Sequence, residues 1–144
     1  MNKVRGGIAV PTTISTTEAP SKRLLFVDDE EGIRLTLPQI LQRRGFEVRV
    51  AASVPEALAE INNHEFDVLL SDLNIGKEGD GFAVVRAMRE VHPNCVTILL
   101  TGYPSFETAV QAMREEVDDY FVKPAEIDEL VGSIERRLAR RAKA

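Results

Sequence analysis

Short apolar runs recur along the chain and are separated by longer segments of mixed character. The first run is Leu24-Leu25-Phe26-Val27, and comparable runs lie at 46–51, 66–71, 96–100 and 120–122. Runs of this length are long enough for a strand buried on both faces and too short for a helix. The pattern therefore predicts five strands.

The segments between these runs carry apolar residues at helical spacing, which predicts five helices. Ser53 and Glu56 form a capping-box pattern at the start of the second helix, and Gly45 is a good stop for the first. Pro38 lies inside the first helix and is expected to kink or split it, because proline removes a hydrogen bond and clashes with the preceding turn. In the fourth helix, Ala109, Val110 and Met113 are expected to face inward. The predicted helices cover about residues 31–44, 53–63, 82–89, 106–115 and 127–138.

Strict alternation of strands and helices is typical of an α/β fold with a parallel sheet covered on both faces. The length of 144 residues suggests one domain. Residues 1–21 are rich in Thr, Ser, Gly and Pro and lack apolar periodicity, which predicts a disordered N-terminal arm. The folded domain is therefore expected to span residues 22–144.

Composition narrows the cellular setting. Hydrophobic residues make up 44% of the chain, yet no apolar run reaches the roughly 18 residues that a membrane-spanning helix needs. A single cysteine, Cys95, excludes an internal disulfide framework and favours a reducing cytoplasm. With only His64 and His92 to add, the usual zinc ligands cannot be assembled. We therefore expect a cytoplasmic protein without a membrane partner.

Charge is unevenly distributed along the chain. The net charge is −5, although residues 136–143 include five basic side chains, so the rest of the folded domain is strongly acidic. An acidic body disfavours nucleic-acid binding, and no direct DNA contact is expected of it. The basic segment is interpreted as the solvated face of the last helix rather than as a nucleic-acid arm.

The polar residues that follow the predicted strands suggest a site. In open parallel sheets, ligands bind outside the carboxyl ends of the strands. Asp28 and Asp29 follow the first strand, Asp72 the third, Thr101 the fourth and Lys123 the fifth. Each has an ordinary alternative role, as a helix cap, a turn residue, a strand residue or a surface lysine. Together they predict three carboxylates, a hydroxyl and an amine at one edge.

This combination suits phosphoryl chemistry. Three clustered carboxylates repel one another unless a cation lies among them, and Mg²⁺ prefers oxygen ligands. A lysine and a hydroxyl supply the charge and the hydrogen-bond donor that phosphoryl oxygens require. The simplest reaction is phosphoryl transfer to one aspartate, giving an acyl phosphate.

The chain resembles the receiver domain of two-component response regulators, of the chemotaxis-regulator type, over about residues 22–140. The resemblance implies a flavodoxin-like, doubly wound, five-stranded parallel sheet in the order 2-1-3-4-5. Four segments carry it: Leu-Phe-Val-Asp28-Asp29-Glu, Leu-Leu-Ser-Asp72-Leu, Ile-Leu-Leu-Thr101-Gly102 and Asp-Tyr120-Phe-Val-Lys123-Pro124.

By this resemblance, Asp72 is the phosphoacceptor and Mg²⁺ is the cofactor. Asp29, Asp72 and the backbone carbonyl of Asn74 would ligate the ion directly, and Asp28 would act mainly through water. Lys123 would pair with the phosphoryl oxygens.

The resemblance also implies a switch. Thr101 would hydrogen-bond the phosphoryl group and move toward it, leaving room for Tyr120 to turn inward. The responding surface would comprise helix four, strand five and helix five, about residues 106–140. The donor would be a histidine kinase or a histidine phosphotransfer protein, and the receiver of the signal a downstream protein or effector domain. The domain would promote only its own phosphorylation and dephosphorylation, as a monomer or a phosphorylation-dependent dimer.

The sequence departs from the family pattern in the loop after Asp72 and before the last strand. Gly76 replaces a usual proline and one extra residue precedes Gly81, so a more mobile loop is expected. Glu116-Val117 stands where Gly-Ala is usual, which leaves the end of helix four without its glycine.

Three other protein classes share parts of this pattern. A flavodoxin needs a phosphate loop after strand one, where the acidic run beginning at Asp28 would repel a phosphate. A haloacid-dehalogenase-type phosphatase has an Asp-x-Asp pattern on strand one, in which one residue separates the two aspartates. Asp28 and Asp29 are instead adjacent. A pseudo-receiver that binds partners without phosphate is the strongest rival, although it usually lacks a site residue and none is missing here. Whether the chain acts alone or within a longer protein stays open.

Overall fold

The computed structural model describes residues 21–143. Apart from Ser21, the predicted N-terminal arm lies outside these residues, so its disorder and the domain boundary at residue 22 stay predictions. Within 21–143, no helix combines the length and the apolar character needed to cross a membrane.

Five strands alternate with five helices, in agreement with the sequence pattern. The elements in chain order are β1 (Lys22–Val27), α1 (Glu31–Arg43), β2 (Phe46–Ala51), α2 (Val54–Asn63), β3 (Val68–Asp72), α3 (Asp80–Val91), β4 (Val96–Thr101), α4 (Phe106–Arg114), β5 (Asp119–Val122) and α5 (Ile127–Lys143).

The strands form one parallel sheet in the order β2-β1-β3-β4-β5, which confirms the predicted doubly wound α/β fold. Every residue of β3 and β4 is buried, as expected for central strands of a parallel sheet. The chain reverses direction across the sheet between β1 and β3. The ends of these two strands therefore border the crevice in which open α/β sheets bind ligands.

Alternate strand residues supply two separate cores, because successive side chains point to opposite faces of a sheet. Leu25, Leu69 and Leu99 pack under α2, α3 and α4. Phe26, Leu70 and Ile98 and their neighbours pack under α1 and α5. Burial on both faces fixes the register of the central strands and thereby the positions of their last residues.

Two expectations about helix ends are confirmed, and one about α1 is revised. Gly45 follows α1 with a φ of +99°, which suits glycine. The Ser53 hydroxyl accepts a bond from the Glu56 N–H, while the Glu56 carboxylate reaches back to Ala52 N–H, one residue before the cap. Pro38 does not split α1, which runs continuously from residue 31 to 43.

The expected inward orientation of Met113 is wrong. Its exposed fraction is 77%, and Phe106 on the same helix is 81% exposed. Ala112 is instead the buried residue of α4, while Ala109 and Val110 are half-buried. A nine-residue helix near the β5 edge covers the sheet with one narrow stripe, and the larger side chains lie outside that stripe.

The end of α4 shows how the chain manages without the usual glycine. Val117 N–H bonds to the Ala112 carbonyl and Glu116 N–H bonds to the Met113 carbonyl, which is a Schellman arrangement. The arrangement requires a left-handed residue, and Glu116 takes that conformation with a φ of +58°. The left-handed conformation costs free energy in any residue that has a Cβ. A negatively charged glutamate near a helix C-terminus also interacts unfavourably with the helix dipole.

We therefore expect Glu116→Gly to stabilise the protein. Relief of the left-handed strain outweighs the greater freedom of glycine in the unfolded chain, so the free energy of unfolding should rise by about 0.5–1 kcal/mol. Urea denaturation of the variant and the wild type measures the difference.

Arg114→Gly is the matched control, because Arg114 is an exposed residue in the helical last turn of α4. Glycine there should lower the free energy of unfolding by about 1 kcal/mol. A destabilised Glu116→Gly variant would contradict the assigned strain.

Candidate functional site

The polar residues predicted from the strand ends lie at one edge of the sheet. Asp28 follows β1, Asp72 is the last residue of β3, Thr101 is the last of β4 and Lys123 follows β5. Parallel strands bring all their carboxyl ends to the same edge of the sheet. Residues that are nearly a hundred positions apart in the sequence, such as Asp28 and Lys123, therefore lie close together.

Three carboxylates form the centre of this edge. One oxygen from each of Asp28, Asp29 and Asp72 can be chosen so that all three lie within 4.8 Å of one another. Their burial differs: Asp28 is fully buried, Asp72 is 8% exposed and Asp29 is exposed. The cluster therefore has one side open to solvent and one embedded in protein.

A single ammonium group serves the two buried carboxylates. Lys123 Nζ lies 2.9 Å from Asp28 Oδ2 and 3.1 Å from Asp72 Oδ2, within hydrogen-bonding distance of both. One positive charge thus faces two negative charges, with Asp29 as a third nearby. Buried like charges at this spacing cost free energy that one lysine only partly offsets.

The pKa directions follow from this imbalance. Burial raises the pKa of Asp72 above its usual value, and the Asn74 N–H and the Lys123 charge only partly oppose this. For Lys123, burial by itself lowers the pKa, but the hydrogen bond and charge of Asp28, together with Asp72, more than offset it and leave the pKa raised. The site therefore favours the charged form of Lys123 and disfavours the ionised form of Asp72.

Backbone groups of the β3–α3 loop also contact the carboxylates. Asn74 N–H donates to Asp72 Oδ1 at 3.2 Å, and Gly76 N–H donates to Asp29 Oδ2 at 3.0 Å. The Asn74 side chain accepts a bond from Gly79 N–H at 2.9 Å. These bonds anchor the β3–α3 loop to the carboxylates. The sequence predicts that this loop is more mobile than is usual in the family, and that mobility stays a prediction.

Gly81 has a steric role that the sequence did not reveal. A Cβ at this position would lie 2.5 Å from the Asp72 carbonyl oxygen, which is closer than real contacts of this kind. Gly81 N–H bonds to the Leu73 carbonyl at 2.7 Å, so the start of α3 presses against the end of β3. Only glycine allows this approach, and its place after a Gly-rich loop is the sequence signal for it.

Thr101 is the last residue of β4 at the acidic edge, and Tyr120 lies in the adjoining strand β5, where it pairs with Leu99. Thr101 is fully buried and its hydroxyl accepts a bond from Tyr103 N–H at 3.0 Å. Tyr120, in β5, is half-buried against the core under α2, α3 and α4. Its hydroxyl lies 2.7 Å from Thr108 Oγ1 in the first turn of α4, a contact that the sequence analysis missed.

The donor set fits a magnesium ion. All the groups are oxygen ligands, which hard divalent cations prefer, and the raised pKa of Asp72 shows that its charge is incompletely compensated. Asp29 and Asp72 could hold the ion on the open side of the cluster. The Asn74 residue lies next to them, and ligation by its carbonyl stays a prediction.

Curated relatives share most of the chain. The acid tolerance regulatory protein ActR of Sinorhizobium medicae is 35% identical over 118 residues, which cover 82% of this chain and 60% of that protein. The alginate biosynthesis transcriptional regulatory protein AlgB of Pseudomonas aeruginosa is 36% identical over 81% of this chain and 26% of its own length. The chain thus spans less than two thirds of these relatives.

Solved structures give the same result. A CheY-like receiver domain protein of Methanospirillum hungatei is 33% identical, with a TM-score of 0.79 over 85% of this chain and 98% of its own. A Burkholderia pseudomallei response regulator with a phosphorylated aspartic acid, a calcium ion and citrate is 32% identical, with a TM-score of 0.74 over 83% of this chain and 69% of its own.

The family model for the response regulator receiver domain matches residues 24–135, nearly the whole sheet and its helices. This match and the relatives confirm the resemblance inferred from the strand-end residues. The chain therefore belongs to the response regulator receiver domain family, whose members are signalling modules of two-component systems.

Proposed function

We propose that the chain switches its surface by taking a phosphoryl group onto Asp72, with a histidine kinase or a histidine phosphotransfer protein as the donor. The observation that carries the proposal is Lys123 Nζ, which lies between Asp28 and Asp72 within a cluster of three carboxylates. This arrangement has excess negative charge and a lysine already beside the acceptor. Both features suit a phosphoryl group accompanied by Mg²⁺.

Asp72 is the best acceptor of the three aspartates. Asp28 is fully buried, whereas Asp72 retains 8% exposure at the end of a central strand. Burial raises the pKa of Asp72, which marks an ionised form that is poorly solvated and therefore a better nucleophile. Asp29 is exposed and better placed to hold a cation than to attack a phosphorus atom.

The reaction needs only a short series of steps. A carboxylate oxygen of Asp72 bonds to the phosphorus as the bond from phosphorus to the donor histidine nitrogen breaks. The donor ring is protonated on its other nitrogen, so the electron pair of the broken bond leaves a neutral imidazole beside the acyl phosphate. Lys123, now paired with Asp72 Oδ2, would donate to a phosphoryl oxygen. Mg²⁺ held by Asp29, Asp72 and the Asn74 carbonyl, with Asp28 acting through water, would neutralise charge on the phosphoryl oxygens.

The switch would run through Thr101 and Tyr120. The Thr101 hydroxyl would exchange its bond to Tyr103 N–H for one to the phosphoryl group, and Tyr120 would fill the space released. The responding surface would comprise α4, β5 and α5. Phe106, Met113 and Val122 support this location, since all three are apolar and at least half exposed.

The wider setting follows from the family and the composition. The target would be a downstream protein or effector domain, and the domain would act as a monomer or a phosphorylation-dependent dimer in the cytoplasm. The acidic body would not contact DNA directly. The domain would catalyse only its own phosphorylation and dephosphorylation.

Asp72→Asn should abolish phosphoryl uptake from acetyl phosphate with Mg²⁺, because an amide cannot form the acyl phosphate. Intact-mass spectrometry measures the phosphorylated fraction. Asp67→Asn is the control, because Asp67 immediately precedes β3 at the end opposite to Asp72 and the substitution should leave uptake unchanged.

Uptake by Asp72→Asn at the wild-type rate would transfer the acceptor role to Asp28 or Asp29. If the wild type takes up no phosphoryl group from either acetyl phosphate or a phosphorylated histidine donor, the pseudo-receiver alternative applies.

Mg²⁺ should bind weakly to the unmodified protein and more tightly with beryllofluoride, a phosphoryl mimic. Asp28→Asn should weaken binding about tenfold and Asp29→Asn more than that, because Lys123 already pairs with Asp28 and not with Asp29. Calorimetric titration measures the affinities. Glu31→Gln, which removes an exposed charge from the first turn of α1, should have little effect. Unchanged affinity after both aspartates are replaced would refute the metal site.

Thr101→Ala should keep phosphoryl uptake while shifting the switch equilibrium by about tenfold toward the resting state, because one hydrogen bond to a charged group is lost. Amide hydrogen exchange after addition of beryllofluoride and Mg²⁺ measures the response of residues 106–115. Thr101→Ser retains the hydroxyl and should respond like the wild type. A full response of α4 in Thr101→Ala would exclude this hydroxyl from the coupling.

A further inference from the structure

One side-chain hydrogen bond joins α4 to β5 directly. Tyr120 Oη lies 2.7 Å from Thr108 Oγ1, a normal distance for two hydroxyl groups. Tyr120 is half-buried, so this bond is partly shielded from water. The hydroxyl is the far end of the tyrosine ring, so a rotation that carries the ring away from α4 must break the bond.

The Thr108 hydroxyl is itself held in place. It lies 3.0 Å from Ser105 Oγ and 3.2 Å from the Ser105 carbonyl oxygen, while Ser105 Oγ accepts the Thr108 N–H at 3.1 Å. Donation to the Ser105 carbonyl leaves the Thr108 oxygen free to accept the Tyr120 hydroxyl proton. The N-terminal cap of α4 thus fixes the group that binds the tyrosine.

The same loop leads back to the acidic edge. Residues 102–105 connect Thr101 to the cap of α4, and the Thr101 hydroxyl accepts a bond from Tyr103 within that loop. Both ends of the proposed Thr101–Tyr120 switch therefore contact the segment that runs from Tyr103 through the first turn of α4 to Thr108. In the same conformation Lys123 pairs with Asp28 and Asp72. This pairing is the one expected when Asp72 carries no phosphoryl group, so the conformation corresponds to the resting state.

We propose that Thr108 is a positioning residue whose hydroxyl holds Tyr120 in the resting conformation against α4, so that activation must break this bond. The proposal rests on the proposed phosphoryl switch and adds to it a residue that sets the resting population. A bond present in only one of two states biases their equilibrium, and its loss favours the other state. Thr108 touches neither the carboxylates nor Lys123 in the described part of the chain.

Thr108→Val should therefore make activation easier. Valine keeps the β-branched shape and removes the hydroxyl. The net contribution of one neutral hydrogen bond corresponds to about fivefold in an equilibrium constant, and partial replacement by water reduces it. If the binding-competent state is a minor population, the apparent affinity for beryllofluoride in saturating Mg²⁺ should rise about three- to fivefold. Thr108→Ser keeps the hydroxyl and should bind like the wild type.

Tyrosine labelling gives a second readout that does not depend on the ligand. The chain has two tyrosines, Tyr103 and Tyr120, so fluorotyrosine labelling should give two ¹⁹F resonances, which Tyr103→Phe assigns. Without ligand, the Tyr120 resonance of Thr108→Val should lie closer to the position it takes in the beryllofluoride-bound wild type. A purely structural role in capping α4 would not move this resonance in that direction.

Two further variants separate the bond from the helix cap. Tyr120→Phe removes the other partner, so the double variant Thr108→Val/Tyr120→Phe should bind beryllofluoride no more tightly than either single variant. Ser105→Ala weakens the cap but keeps the Ser105 carbonyl that orients the Thr108 hydroxyl, so Tyr120 retains its partner. It should lower thermal stability without tightening beryllofluoride binding.

The outcomes distinguish this proposal from the one on which it rests. If the wild type binds beryllofluoride and Thr108→Val binds with equal or lower affinity, the positioning role is overturned while the phosphoryl switch stands. Additive effects of Thr108→Val and Tyr120→Phe, or a Thr108→Ser variant that behaves like valine, also overturn it. If the wild type binds no beryllofluoride with Mg²⁺ and takes up no phosphoryl group, both proposals fail together.

Discussion

Competition of two buried carboxylates for one ammonium group is the interaction on which the organisation of this domain depends. Lys123 Nζ contacts both Asp28 and Asp72, and the nearby Asp29 adds a third negative charge. The two buried cores of the sheet hold the carboxylates close together despite this imbalance. Incomplete neutralisation favours a divalent cation at this edge, and in the proposed function that cation would offset the negative charge of the incoming phosphoryl group. In the proposed function, Mg²⁺ and the phosphoryl group change this charge balance, and the residues around the carboxylates rearrange in response.

The sheet makes this arrangement possible. The central strands are buried on both faces, so their register is fixed by two separate cores and their final residues have little freedom. Asp28 and Asp72 are carried on strands that pair directly, and Lys123 follows a strand at the sheet edge. Gly81 allows α3 to press against the end of β3, which further limits movement of the Asp72 backbone. Rigid placement of the carboxylates contrasts with the β4–α4 loop, whose contacts are a few hydrogen bonds near the surface.

The half of the molecule around α4 and β5 has a different physical character. α4 buries little more than Ala112, exposes Phe106 and Met113, and ends through Glu116 in a left-handed conformation. Few buried apolar contacts and local backbone strain are features of segments with low local stability. A weakly anchored helix can be displaced by the small free energies that one or two hydrogen bonds supply. In the proposed function, the exposed apolar side chains Phe106 and Met113 would place the docking surface on this helix.

The order and kind of the elements could be predicted from the sequence, because strands buried on two faces give short apolar runs and helices give a 3.6-residue period. The polar residues that end the strands, and hence the acidic edge with its lysine and threonine, could be predicted in the same way. Three features could not be: the exposure of Met113, the bond from Gly76 N–H to Asp29, and the bond between Thr108 and Tyr120 became visible in the folded chain. The same is true of Lys123, which contacts two carboxylates at once. These contacts join residues far apart in the chain or depend on how a helix is rotated, and neither property leaves a periodic signal in the sequence.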